Sequence, residues 1–124
     1  MSASRTIAFV VNPARSEAVS AAAELAKLLG AEGFTIYTAS DVAIPGIRSA
    51  TNAEIPDIEV AVVLGGDGTI LRGAELSLTR GIPLLGINLG HVGFLAEVER
   101  PSISSIAECI IQKSYVSEIG RAHV

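Results

Sequence analysis

Three glycines and one carboxylate stand where an apolar run ends, in Val62-Val63-Leu64-Gly65-Gly66-Asp67-Gly68-Thr69-Ile70-Leu71. A glycine-rich turn after a buried strand usually cradles phosphate with bare backbone N–H groups, and a carboxylate set into it repels the anion it would hold. Asp67 therefore needs its own account. The carboxylate could hold a magnesium ion that bridges to phosphates, or accept a proton from a hydroxyl attacking a phosphoryl group; both imply phosphoryl transfer. A structural account is also open: a β-turn in which Asp67 satisfies the N–H groups of its own loop. Gly65, Gly66 and Gly68 allow positive φ and close approach of the backbone to a ligand, while Thr69 can cap the helix that follows and aim its dipole at a phosphate.

The familiar phosphate motifs do not fit these residues. A P-loop requires GxxxxGK[ST], but Gly68 is followed five residues later by Gly73-Ala74 with no lysine, and Leu71 takes the third glycine position of a dinucleotide fingerprint begun at Gly66 and Gly68. The device is a different one.

The elements that must position it read as alternating strands and helices. Ile7 to Val11 is an apolar run ending at Asn12-Pro13; Val19, Ala22, Ala26 and Leu29 then recur at helical spacing before Gly30, with Ser16 or Asn12 as N-cap. Phe34 to Thr38 reads as a second strand, and Ser40 to Pro56 as a long loop. Ile58 to Leu64 predicts a central third strand. A helix follows with Ile70, Leu71, Ala74 and Leu78 on its inner face, stopped by Gly81. Ile82 to Ile87 predicts a fourth strand, Asn88 to Gly93 a loop, and Pro101 opens a last helix carrying Ile103, Ile106, Ile110 and Ile111. Right-handed crossovers then give a three-layer α/β domain with a mainly parallel sheet. Ligands of such sheets sit beyond the carboxyl ends of the strands, where Asn12-Pro13, Gly65 to Thr69 and Asn88 to Gly93 would converge.

Composition agrees with one such domain: 124 residues, 49% apolar, 18% charged and only 4% aromatic, so that Val, Ile, Leu and Ala must build the core. A net charge of −4 with no basic stripe argues against a nucleic-acid partner. Cys109 has no second cysteine to pair with and, beside Ile106, Ile110 and Ile111, reads as a buried, inert hydrophobe. Met1 to Thr6 lacks a signal-peptide core and no stretch approaches the roughly 20 apolar residues of a membrane span, so the chain reads as cytoplasmic.

GGDGT at 65 to 69, followed by Ile70-Leu71-Arg72, together with GINLGHVGFLAE at 86 to 97, resembles the two motifs of the NAD kinase family, in the same order and spacing. GGDGT alone is shared with diacylglycerol and sphingosine kinases, with a near variant in phosphofructokinases. The lipid kinases would show a Pro-x-Gly-Thr-x-Asn-Asp type sequence after the fourth strand, where this chain has Asn88-Leu89-Gly90-His91-Val92-Gly93-Phe94. The resemblance runs to about Ser117 and implies a Rossmann-like, phosphofructokinase-like domain. It implies transfer of the terminal phosphoryl of ATP, or of polyphosphate, to the 2'-hydroxyl of the adenosine ribose of NAD, with magnesium screening the donor's charge. Asp67 would be the general base. Asp67, Gly68, Arg72 and Phe94 would contact NAD, with Gly65, Gly66, Gly68 and Thr69 forming the phosphate loop. Asn12, Asn88 and His91 would be loop residues near the ligand, and no metal-ligating side chain is assigned. The family further implies a homodimer or homotetramer. A lipid kinase, or a nucleotide-binding module without catalysis, is the competing reading.

NAD kinases carry a second, β-rich domain with an Asn-Glu pair over the nicotinamide half of NAD. This chain has no counterpart of it, so residues 1–117 are expected to be the amino-terminal domain, inactive alone and exposing apolar surface. Residues 118–124, Glu-Ile-Gly-Arg-Ala-His-Val, show no helical or strand period and are similar to the in-frame translation of a sequencing adapter, hence a non-native tail.

Overall fold

Unbroken apolar runs become buried parallel strands. The computed structural model describes residues 5–39, 43–51, 53–88, 103–112 and 121–123. In chain order its elements are β1 (Arg5–Val11), α1 (Ser16–Ala31), β2 (Phe34–Thr38), β3 (Arg48–Ser49), β4 (Ala61–Gly65), α2 (Asp67–Arg80), β5 (Leu84–Asn88), α3 (Ile103–Ile111) and β6 (Arg121–His123). The sheet order is β3-β2-β1-β4-β5-β6, and every pairing is parallel. β4 is buried at all its residues, as a strand with neighbours on both edges and cover on both faces requires.

The alternation of side chains across β1 separates two cores. Ile7, Phe9 and Val11 point toward α1, where Ala18, Ala22, Leu25 and Leu29 meet them, and Ile106 and Ile110 of α3 join the same cluster. Ala8 points the other way, into a smaller cluster with Ile55 and Ile58 against which Leu76 of α2 packs. The layers are thus α1 with α3, the sheet, and α2, the three-layer α/β arrangement expected. No helix among the described residues is long and apolar enough to cross a membrane.

Several local expectations are corrected. α1 begins at Ser16 with Arg15 as its N-cap, so neither Ser16 nor Asn12 caps it. It also runs through Gly30 to Ala31. Gly30 is exposed, where glycine weakens a helix without ending it, and the reversal is made at Gly33 with φ 93°. The third strand is shorter than its apolar run: Ile58 and Val60 are buried but precede the regular ladder. The loop from Ser40 to Pro56 contains β3, which two residues are too short to signal by pattern. Gly81 does end α2, with φ 67° and ψ 38°. Cys109 is half-buried against the larger core rather than fully enclosed.

The tail, expected to be without strand character, supplies β6: Arg121, Ala122 and His123 align beside Leu84, Leu85 and Gly86. Backbone pairing at an open sheet edge needs no side-chain period, so no pattern of residues announces it. α3 lies on the α1 face of the sheet. α3 is held there by its own apolar stripe and by Arg5. The Arg5 guanidinium donates to both Glu59 carboxylate oxygens (2.8 and 2.6 Å) and to the last carbonyls of α3, Ile110 O (2.9 Å) and Ile111 O (2.7 Å). It also stacks over Phe34, 4.5 Å from the ring centre.

α2 turns a different face inward from the one its leucines suggest. Leu71 and Leu78 are 69% and 83% exposed, whereas Gly73 and Thr69 are buried. The reason is close backbone approach. A Cβ on Gly73 would run into Val63 Cγ2 and stand 3.0 Å from Leu84 Cδ1, so the bare glycine lets α2 settle onto β4 and β5. Arg80 then ties the end of the helix to Ile55 O (2.8 Å) and Pro56 O (2.9 Å). Gly73→Ala should therefore lower stability by about 1–3 kcal/mol, although the same change on a free helix would raise it by about 1 kcal/mol. Urea midpoints decide, and an unchanged or higher midpoint would contradict this packing.

Candidate functional site

The strand order reverses between β1 and β4. From β1 the chain moves outward through β2 and β3, then returns to place β4 on the other side of β1, so the loops after these two strands leave toward opposite faces and a crevice opens between them. Their carboxyl ends are level, since Val10 pairs with Val63 and Val11 with Leu64. A cavity of about 420 Å³ lies at this point, lined by Asn12, Pro13, Arg15, Gly66, Gly68, Thr69 and Arg72.

The β1 wall is a fixed turn. Asn12 Oδ1 accepts from Ala14 N (3.0 Å) and Asn12 O from Arg15 N (3.1 Å), which holds Arg15 in extended backbone just before α1. The β4 wall is the glycine turn. Gly65 ends the strand, Gly66 is the N-cap of α2, and Asp67 is the first helical residue. Thr69 and Ile70 both donate their N–H groups to Gly66 O (3.1 and 3.0 Å), so the helix closes immediately.

Thr69 does not cap this helix, contrary to expectation. It is the third residue of α2, and the N-cap has no side-chain hydrogen bond. Its side chain is 6% exposed and packs back on Gly65, where a Cβ would lie 2.8 Å from Thr69 Oγ1 and 2.9 Å from Thr69 Cβ. Gly65 is thus needed for space. Gly68 differs: nothing lies within 4 Å of the place its Cβ would take, so its surface is open to the cleft.

Of the site residues expected from sequence, Asn12, Gly66, Gly68, Thr69 and Arg72 line one cavity. Gly65 and the backbone of Asp67 adjoin it, and Asn88 ends β5 in register with Gly65. His91 and Phe94 lie outside the described residues, as do the side chains of Asp67 and Asn88. Arg15 was missed by the sequence reading. The signal available was its place three residues after Asn12, at a strand's carboxyl end just before a helix. Its Nη2 sits 3.8 Å from where a Gly66 Cβ would be, so it reaches across the cleft to the glycine turn. With Arg72, it gives the cleft two arginines, one on each wall, in a protein of net charge −4.

A larger groove of about 940 Å³ runs along α2 over Ala8, Val10 and Ile55, and shares Arg72 with the cleft. It follows the length of the helix rather than the strand ends, and its other charged residues, Glu75 and Arg80, cancel one another. The cleft between β1 and β4 is where the backbone, the arginines and the carboxyl ends meet.

Residues 7–115 match the family model of the ATP-NAD kinase N-terminal domain. The chain is 40% identical to a NAD kinase of Cutibacterium acnes over 124 residues, which covers 94% of this chain and 39% of the relative. It is 36% identical to NAD kinase 2 of Streptomyces coelicolor over 122 residues, 92% of this chain and 40% of the relative. Over 78 residues, 63% of this chain and 22% of the relative, it is 49% identical to a NAD kinase of Thermobifida fusca. The chain thus spans at most about two-fifths of the length of these relatives.

Two glycines of the turn, Gly65 and Gly68, should separate in a stability measurement. Gly65→Ala is expected to lose about 1–3 kcal/mol and Gly68→Ala to stay within about 0.5 kcal/mol of the unmodified chain. Equal losses in chemical denaturation would contradict the assignment of one glycine to packing and the other to ligand approach.

Proposed function

Because the chain belongs to the ATP-NAD kinase family through its N-terminal domain, we propose that it forms part of an enzyme that phosphorylates NAD. The reaction moves the terminal phosphoryl group of ATP, or of polyphosphate, to the 2'-hydroxyl of the adenosine ribose. The observation that carries this reading is the glycine turn at the β1–β4 crevice, with open backbone at Gly68 and an arginine on each wall.

In this proposal Gly68 lets the ribose come against the backbone, and Arg72 holds the dinucleotide from the next helical turn. Asp67 takes the hydroxyl proton as the new O–P bond forms. It is the first residue of α2, where the helix end favours a negative charge, so an anionic base is at home there. Charge developing on the transferred group is met by the arginines and by the N–H groups of the turn.

Among the described residues no three His, Cys, Asp or Glu side chains gather as a metal cage, and the cleft's described charges are arginines. Magnesium fits such a cleft as a guest of the donor's phosphates, with Asp67 the loop's one carboxylate; it needs few protein ligands when it rides on phosphates. When bound it would draw off negative charge from the transferred group.

Asp67→Asn in the full-length enzyme should lower kcat by at least about 100-fold while the Kd for NAD changes little. Coupled NADP assays and NAD titrations read the two quantities. Turnover like that of the unmodified enzyme would remove Asp67 as the base.

A further inference from the structure

Arg15 is half-buried, yet among the described side chains and backbone groups its guanidinium has no hydrogen-bond or ion-pair partner. A planar, permanently charged group partly withdrawn from water needs an anion or a set of acceptors to offset lost hydration. Its backbone is not free to carry it elsewhere. The Asn12 turn fixes the residue through Ala14 N to Asn12 Oδ1 (3.0 Å) and Arg15 N to Asn12 O (3.1 Å), and Arg15 O accepts from Val19 N (3.1 Å) in the first turn of α1. The side chain crosses to Gly66, whose missing Cβ leaves its Nη2 near the glycine backbone.

We propose that Arg15 is the anchor for the phosphoryl donor, gripping the phosphate chain of ATP or polyphosphate laid over Gly66. The assignment rests on the phosphoryl-transfer reading above and names the donor side of that site. Donor and acceptor oxygens must lie roughly in line on opposite sides of the transferred group. Asp67, Gly68 and Arg72 follow Gly66 along α2 and belong to the acceptor; Arg15 comes from the other wall, at the end of β1, and is left to the donor. Its fork suits two oxygens of a phosphate chain, whereas a lysine would offer only a point charge.

Inorganic tripolyphosphate, titrated calorimetrically into the full 124-residue chain, is the direct probe. Arg15→Gln should weaken binding at least tenfold and Arg15→Lys should recover part of it, with thermal melts of both variants matching the unmodified chain. In the full-length enzyme Arg15→Gln should raise the donor KM at least tenfold and leave the NAD KM within twofold. Equal tripolyphosphate affinity in Arg15→Gln, or no binding by the unmodified chain, would overturn the proposal. So would a rise in the NAD KM in place of the donor's, which would give Arg15 to the dinucleotide's pyrophosphate. Absence of NADP formation by the unmodified enzyme, with Arg15-dependent tripolyphosphate binding retained, would overturn the kinase reading and support the phosphate anchor.

Discussion

Parallel pairing of β1 with β4 is the constraint on which the rest of the molecule depends. Two neighbouring parallel strands must end at the same edge of the sheet, and here they are reached from opposite directions along the chain. Their loops therefore diverge to opposite faces and cannot fill the space between them. Everything chemical in the described cleft follows from this: the Asn12 turn arrives from one side, the glycine turn from the other, and the arginines they carry face a common space. A slip of one residue in the register would exchange the faces of Phe9 and Ala8, so the two cores and the cleft are specified together.

Rigidity is supplied away from the cleft. At the amino-terminal edge of the sheet Arg5 joins β1, the segment before β4 and the end of α3 through hydrogen bonds from one guanidinium, while Phe34 of β2 backs its plane. Its side chain and that of Glu59 are each 22% exposed, so solvent weakens the ion pair but does not dissolve its geometry. Across the sheet, Gly73 brings α2 against β4, which fixes the direction in which that helix leaves the glycine turn. The exposed Leu71 and Leu78 follow from the same contact. With the glycine turned inward, the leucine stripe must face outward.

The sequence was most readable where one physical cause dominates. β2 and the end of α2 fall where Phe34 to Thr38 and Gly81 place them, because β-branched residues and a left-handed glycine act locally. The convergence of Asn12 with Gly66 and Gly68 was legible from topology alone. It failed where tertiary contact overrides pattern. Leucine spacing pointed to the wrong face of α2, since a missing Cβ at Gly73 is decided by Val63 on another element. Gly30 looked like a helix stop, though the reversal needed a positive φ, which Gly33 adopts three residues later. Thr69 looked like a cap, but the helix starts earlier and the threonine is used to pack on Gly65. Arg15 carried no motif at all; only the fold shows that its side chain crosses to a turn more than fifty residues away.

Phosphate is expected at the β1–β4 crevice and not along the groove beside α2. Amide spectra of the isotopically labelled chain, recorded while tripolyphosphate is added, distinguish the two places. Arg15, Gly66, Gly68 and Thr69 should shift together and saturate with one affinity while Ala53, Ile55 and Thr79 stay in place. Shifts centred on Ala53, Ile55 and Thr79, with the glycine turn unmoved, would contradict it.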